Sequence, residues 1–292
     1  MPTEVTVVSN YAGEAAGDIF SEAFNGTDAV SRGLVTFYPD VRHQIALRKI
    51  EGTDGTTDYA CGFTPAGAIS LSENQLTIKT LKHDIQVCVD DFRTTWNGEG
   101  EILDAIQVYK LDAQADKIQE DIWYGDASVN GQFGGLMPVI KADVATKKTD
   151  SVAITKDNVQ AELEKFTATF APKVRKKKDF KILVASNVID AYDKLLISQG
   201  IANGLGGDSM ATKYGKYMLE EVVEFEDNEM LAARTRNLVV GSYRSNLLNN
   251  LEFADTRTTL LDGNVRMKMV YGGATGVHDA SEIYLYSEAA GE

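Results

Sequence analysis

The stretch that most constrains this chain runs from Glu101 to Lys141, EILDAIQVYKLDAQADKIQEDIWYGDASVNGQFGGLMPVIK. From Glu101 to Tyr124 it contains no Gly or Pro, and Ala, Leu, Gln, Glu and Lys dominate. Leu111, Ala115, Ile118 and Ile122 step by four, three and four, one face of a helix. Twenty-four helical residues would span roughly 36 Å, longer than most globular helices. Gly125-Asp126 stops the pattern, and Gly131, Gly134, Gly135 and Pro138 mark a turn-rich exit. Any fold for this chain must accommodate one long rod and an abrupt, glycine-lined change of direction.

At 292 residues the chain can bury a sizeable core, and 43% hydrophobic with 25% charged residues fits a globular protein. No apolar run is long enough to cross a membrane, and no signal-peptide pattern opens the sequence, so residence in a reducing cytosol and no membrane partner are expected. A formal charge of -14 argues against wrapping nucleic acid, which needs clustered cations. The one basic run, Arg175 to Lys178, follows Pro172 and precedes a strand; it is predicted to be a solvated turn rather than a phosphate site. Cys61 and Cys88 show neither metal spacing nor a CxxC pair and are taken as structural thiols.

In chain order, residues 1–40 are predicted to form an arm, with Ala12, Ala16, Ile19 and Ala23 flanked by Phe20 and Phe24 on a short amphipathic helix. This helix needs a surface to lie on, either the chain's own core or a neighbouring subunit. Residues 41–92 form an extended hairpin and its return strand: Arg42 to Glu51 outward, Leu71 to Phe92 back, with a wide loop from Gly52 to Ser70. The return strand changes parity, since Leu76 and Ile78 are even-numbered while Leu81, Ile85, Val87 and Val89 are odd. A bend or bulge is therefore predicted near Lys79 to Leu81. Residues 93–150 hold the long helix and its exit. From 151 to 292 the order helix, strand, helix implies an α/β lobe: Thr155 caps a helix with the face Val159, Leu163, Phe166 and Phe170, Phe180 to Ala185 is a buried strand, and Ser186 caps a helix with Gly200 behind it. Gly204 to Tyr217 is predicted as an exposed loop, Val222 to Glu226, Leu238 to Gly241, Val265 to Tyr271 and Glu282 to Ser287 as strands, and Ser242 to Asn250 as a short helix.

No catalytic constellation emerges, and no catalytic, cofactor or metal residue is assigned. The glycine-rich loop fails as a P-loop, because Gly215-Lys216 is followed by Tyr217 and Met210 stands where the first Gly belongs. It fails as a dinucleotide fingerprint, because Gly204-Leu205-Gly206 is not completed by the last Gly. His43, His83 and His278 sit in no protease or triad signature; pairing of the hairpin strands could bring His43 near His83, as strand polar residues or as a two-histidine site. Glu220, Glu221, Glu224, Glu226, Asp227 and Glu229 form a cluster expected to be a solvated face, without the order of a calcium loop.

The order of the pieces resembles the major capsid protein of tailed phages, the Hong Kong 97-type fold. Leu76 to Phe92 (LTIKTLKHDIQVCVDDF) is similar to the strand returning from the extended loop. Ile118 to Ser128 (IQEDIWYGDAS) with Gly134 to Ile140 (GGLMPVI) resembles the end of the spine helix and its exit. Phe180 to Gly200 (FKILVASNVIDAYDKLLISQG) resembles the axial domain's strand and helix. Leu238 to Leu248 (LVVGSYRSNLL) with VRMKMVYGGATGVHDASEIYLY resembles the late strands. The resemblance covers roughly residues 10 to 288.

That resemblance implies an α+β fold with four parts: an N-terminal arm (1–40), an extended β-hairpin loop with its return strand (41–92), a peripheral domain with a spine helix (93–150), and a mainly α/β axial domain (151–292), whose late strands are free to return to the peripheral domain. It implies a structural, non-enzymatic protein whose hexamers and pentamers close an icosahedral shell around double-stranded DNA, in a virion assembled in the host cytoplasm. Assembly contacts are expected from the loop at Asp54, Tyr59, Cys61 and Phe63, from the arm at Ile19, Phe20 and Phe24, and from an axial loop at Gly204, Gly206, Gly207 and Tyr214. No cofactor is expected. Beyond itself, the partners would be a separate scaffolding protein, a portal and decoration or minor capsid proteins, with packaged DNA held only non-specifically. The arm begins within the first residues, which implies scaffolding in trans and no N-terminal maturation cleavage. No Lys lies between Lys49 and Lys79, which implies no isopeptide cross-link from the loop. Two other readings stay open: an encapsulin-type nanocompartment shell, and a soluble α/β enzyme or binding domain.

Overall fold

The computed structural model describes residues 27–41, 43–52, 55–56, 58, 67–88, 113–200, 213–243, 252–255 and 264–288. Outside them lie the predicted arm helix, the first half of the predicted Glu101 to Tyr124 helix (up to residue 112), and most of the predicted helix Ser242 to Asn250. Within them, a short helix α1 (Asp28–Ser31) leads into β1 (Thr36–Val41) and then into an antiparallel ribbon of β2 (Gln44–Gly52) and β3 (Ile69–Thr77), paired from Gln44↔Thr77 to Gly52↔Ile69.

The chain changes sheets at Ile78, whose N–H reaches the His43 carbonyl at 3.1 Å. β4 (Lys79–Cys88) then leaves the ribbon and runs antiparallel to β12 (Asn264–Val277) over ten residue pairs. The parity change predicted at Lys79 to Leu81 is thus a strand switch one residue earlier: a period of two serves one buried face up to Thr77 and another from Lys79. β12 is the axis of a five-stranded sheet. It also pairs with β10 (Leu238–Tyr243) and β11 (Glu252–Asp255), and β1 lies parallel to β10. The strand predicted to stop at Tyr271 continues through Gly272, Gly273 and Gly276, because β10 covers that half. Ser242, predicted to begin a helix, is the fifth residue of β10.

Helix α2 (residues 113–124) is the part of the predicted long helix that falls within the described residues, with Ile118, Ile122 and Trp123 fully buried. It stops where the sequence says it must. The Gly135 N–H donates to the Gly125 carbonyl at 2.7 Å. A Cβ on Gly135 would sit 2.5 Å from the Gly125 nitrogen, and one on Gly125 would overlap the Phe133 carbonyl oxygen. Two backbones cross with no room for side chains, so the exit loop 125–135 closes on itself before α3 (Leu136–Ala142) begins.

The second, six-stranded sheet has the order β5-β13-β9-β6-β8-β7. It comprises β5 (Lys147–Asp150), β6 (Phe180–Val184), β7 (Lys213–Tyr214), β8 (Tyr217–Glu221), β9 (Met230–Arg234) and β13 (Tyr284–Ser287), and α4 (Val159–Ala168) and α5 (Ser186–Ser198) belong to the same lobe. Every residue of the predicted α4 face, Val159, Leu163, Phe166 and Phe170, is buried. Phe170 stands 5.0 Å from Phe166, 5.2 Å from Phe180 and 4.9 Å from Tyr284, an edge-on aromatic centre for the lobe. Three local predictions are corrected here. The residue before α4 is Asn158, whose side chain accepts from the Thr155 N–H at 2.7 Å, so Thr155 is not the cap. Ser186 is the first residue of α5 rather than its cap, Ala185 occupying that place. The strand predicted at Val222 to Glu226 is β8, five residues earlier, and 222–226 is a turn whose Val222 and Phe225 point inward. Sheet membership also crosses the sequence order. β5 lies in the six-stranded sheet, whereas β10, β11 and β12 lie with β1 and β4 in the other.

Candidate assembly surfaces

The ribbon has two unlike faces, and the register says which residues belong to each. Ile45, Leu47 and Leu76 face the body: Leu47 is buried, and its Cδ1 and that of Leu76 come within 3.2 Å of where a Gly276 Cβ would be. Gly276 is therefore the seat on which the ribbon base rests. Lys49, on the same face, donates to Asp279 Oδ1 at 2.9 Å and also pairs with Glu51. These two neighbours hold its ammonium above its ordinary pKa. For Asp279, burial pushes the carboxyl up, but the Ser281 hydroxyl and N–H and the Lys49 ammonium outweigh it and leave the group below its usual value.

The opposite face carries Ile50, Leu71 and Ile69, brought together by the pairs Ile50↔Leu71 and Gly52↔Ile69. Their exposures are 73%, 64% and 83%, so three adjacent branched apolar side chains stand in water at the outer end of an isolated two-stranded ribbon. A ribbon of this kind is marginal alone in water, and an uncovered apolar strand pair is a candidate docking surface. The residues expected at the loop tip, Asp54, Tyr59, Cys61 and Phe63, lie outside the described residues, as do Ile19, Phe20 and Phe24 of the arm and Gly204, Gly206 and Gly207 of the axial loop. Tyr214 is described: it belongs to β7, half-buried, with its ring 6.0 Å from that of Tyr192.

The chain before the ribbon is fastened to α2 and to β8 of the six-stranded sheet. The Ala29 N–H donates to Gln119 of α2 at 3.1 Å, and Gln119 donates in turn to Glu224 at 3.1 Å. Arg32 bonds the Glu221 carbonyl at 2.8 Å and the Glu220 carboxylate at 2.9 Å. The acidic cluster expected to be a solvated face is thus largely a set of anchors. Its last member, Glu229, has a side chain only 3% exposed; it takes the Tyr124 hydroxyl on one oxygen and the Lys141 ammonium at 2.6 Å on the other. Burial first, and the Glu229 carboxylate second, push the Tyr124 phenol far above its ordinary pKa. This triad, centred on the buried Glu229, joins α2, α3 and the turn before β9. Sequence reasoning missed it because Glu229 lies 105 residues beyond Tyr124 and far from Lys141 as well.

Nothing among the described residues gathers the histidines. Gln44 pairs with Thr77, and His83 lies six residues further on, opposite Met269, so strand pairing does not bring it to His43. No group of three or more potential metal ligands occurs among the described residues.

No protein-family model and no curated protein matches the sequence. Solved structures do match in fold. A chain of Gordonia phage Cozz is similar at a TM-score of 0.63 and 12% identity, over 91% of this chain and 87% of that one. The capsid of Myoviridae phage XM1 is similar at 0.59 and 12%, over 89% and 92%. A virus-like particle from Pyrococcus furiosus is similar at 0.55 and 10%, over 94% and 99%. The α+β chain has the fold of phage capsid subunits, the fold its sequence resembles.

Proposed function

We propose that this chain is the major capsid protein of a tailed phage, a structural protein whose hexamers and pentamers close an icosahedral shell around double-stranded DNA. The observation that carries this reading is the ribbon. It projects an apolar outer end that the described residues leave uncovered, on a fold similar to that of a phage capsid over 89% of this chain. In this reading the five-stranded sheet with α2 is the peripheral domain, and the six-stranded sheet with α4 and α5 is the axial domain. The ribbon and its tip residues Asp54, Tyr59, Cys61 and Phe63 lie over an adjacent subunit, Ile19, Phe20 and Phe24 of the arm reach a neighbour, and the loop from Gly204 to Tyr214 meets its copies at the capsomer centre.

The role is structural rather than catalytic. A separate scaffolding protein, a portal and decoration or minor proteins are the further partners, DNA is held without sequence preference, and the mature location is the virion after assembly in the host cytoplasm. Electron microscopy and sedimentation of the purified full chain test the reading. Closed shells or hexameric and pentameric rings are expected; a protein that stays a 31.8 kDa monomer under all conditions overturns it. A nanocompartment of the encapsulin type would instead carry an enzyme cargo, which mass spectrometry of purified particles would detect.

A further inference from the structure

The feature that this function leaves unused is the basic turn between α4 and β6. Lys173, Arg175, Lys176, Lys177 and Lys178 put five cations into six residues, and all five are exposed. None of them forms an ion pair with a described residue. The turn is not a loose tail. Val174 is buried beneath it, and the backbone closes through Arg175 N–H to the Ala171 carbonyl at 3.1 Å and Lys177 N–H to the Val174 carbonyl at 3.0 Å. A sixth cation adjoins it: Arg236, 81% exposed, reaches Asp179 only at 4.0 Å, while Asp179 is engaged by Arg234 at 3.2 Å. Arg236 also lines a cleft of about 580 Å³ whose two carboxylates are already engaged, Asp279 by Lys49 and Glu282 by Arg234, which leaves Arg236 as its outward-facing charge.

Fixing like charges this closely costs free energy through mutual repulsion unless an anionic partner occupies the surface. The formal charge of the chain is -14, so copies packed side by side repel unless a basic surface of one meets an acidic surface of the next. The chain supplies such an acidic piece. Residues 1–31 are the longest stretch of the sequence without Lys or Arg, and they carry Glu4, Glu14, Asp18, Glu22 and Asp28. Asp28, the one of these carboxylates within the described residues, lies 3.7 Å from Arg32.

We propose that the basic turn and the adjoining Arg236 cleft receive the cation-free N-terminal segment of a second copy, an electrostatic contact between neighbouring subunits. The inference rests on the shell reading above, and it favours a protein partner over DNA because the rest of the surface repels phosphate.

The test uses the full chain. Isotope-labelled and unlabelled copies are mixed before assembly and coupled with a zero-length carbodiimide. Mixed-isotope amides joining Lys176, Lys177 or Lys178 to Glu14, Asp18 or Glu22 are expected. Amides at these lysines only within one copy, or none while other lysines couple between copies, would overturn the proposal. The triple variant Lys176→Glu, Lys177→Glu, Lys178→Glu should fold normally and assemble about tenfold less well, the scale of a few surface ion pairs. The reciprocal changes Glu14→Lys, Asp18→Lys and Glu22→Lys should restore it. A variant that assembles like the parent but no longer retards duplex DNA on a gel would assign the turn to DNA and refute the contact. If the parent chain never assembles, the shell reading fails first and takes this contact with it; if the parent assembles and the variant does too, only the contact fails.

Discussion

The ribbon and the six-stranded sheet are both regularly paired β structure, yet they bury their side chains in opposite ways. In β9 the first four residues are buried, and in β13 the first three. In the ribbon only Leu47 is buried among eighteen strand residues, nine in β2 and nine in β3. Backbone pairing contributes little net stability by itself, since water offers the same bonds to the unfolded chain. The sheet is therefore held by the core beneath it, whereas the ribbon is held at its base and leaves its far end to be completed by something else. A stable interior and an unfinished extremity are what a subunit of a larger assembly requires.

The comparison breaks first, and hardest, at the lobe's centre. Phe166 is fully exposure-free and packs edge-on against Phe170 and, at 5.8 Å, Tyr286. Phe166→Ala should cost about 3–5 kcal/mol in chemical denaturation of the dissociated subunit, through lost burial and an unfilled cavity. A loss below about 1 kcal/mol would mean that the lobe does not depend on this aromatic centre.

Next comes the triad that ties α2 and α3 to the turn before β9. Glu229→Ala leaves the Tyr124 hydroxyl and the Lys141 ammonium without their shared acceptor, at a cost of about 2 kcal/mol. Because Lys141 is 38% exposed and keeps Glu226 at 3.3 Å, its charge finds water and a second carboxylate, which limits the damage. Urea denaturation of the variant and the parent measures the difference. An unchanged midpoint would show that the triad is incidental to the junction.

How much of this was legible beforehand follows from where each signal resides. The α4 face was legible because four apolar residues at helical spacing need only local chain geometry. The sheet switch at Ile78 was legible because a strand cannot change parity without changing the face it buries. β9 was not: Met230, Leu231, Ala232 and Ala233 are buried on both sides, so the run shows no alternation, and Ala is a poor strand marker. β5 (KKTD) is a polar edge strand held by β13 alone, and nothing in four such residues announces a strand. Glu229 illustrates the general limit. In the sequence it is one of six neighbouring carboxylates, and only its distant partners Tyr124 and Lys141 separate it from the solvated ones. The candidate surface was legible as a hairpin, but not as two-faced, because which residues oppose one another is fixed by register rather than composition.

A smaller effect is expected at the ribbon's anchor. Lys49→Met removes the contact to Asp279 and should cost about 0.5–1 kcal/mol, with faster amide exchange over residues 44–52 and none in β9 or β13. The same anchor sets an acid dependence. Asp279 titrates below its ordinary value of 3.8 in the folded chain, so its contribution is complete above that value and is lost as pH falls through the folded one. His278 beside it is also depressed below 6.5, by burial, so the folded state binds its proton less readily and stability falls as pH drops below that value. Exchange in the ribbon should accelerate on acidification before the lobe responds, and His278→Gln should remove the part of that change that begins near pH 6.5. A ribbon and a lobe that loosen together at every pH would contradict the division between them.

The smallest effect on folding should accompany the largest effect on assembly. Leu71 is 64% exposed and faces Ile50 on the outer side of the ribbon. Leu71→Asp breaks no core contact and should change subunit stability by no more than about 0.5 kcal/mol, the range of ordinary surface substitutions. If the outer face is where a neighbouring subunit docks, the same carboxylate must be desolvated against an apolar surface. That costs far more than it does in the free chain, where water solvates it. Sedimentation should then show folded subunits that no longer form shells or rings, at concentrations where the parent does. The pair Leu71→Asp and Phe166→Ala forms a crossed test: one change spares folding and abolishes assembly, and the other unfolds the subunit. Shells of normal yield from Leu71→Asp would mean that the ribbon's apolar end is not the surface its neighbour uses.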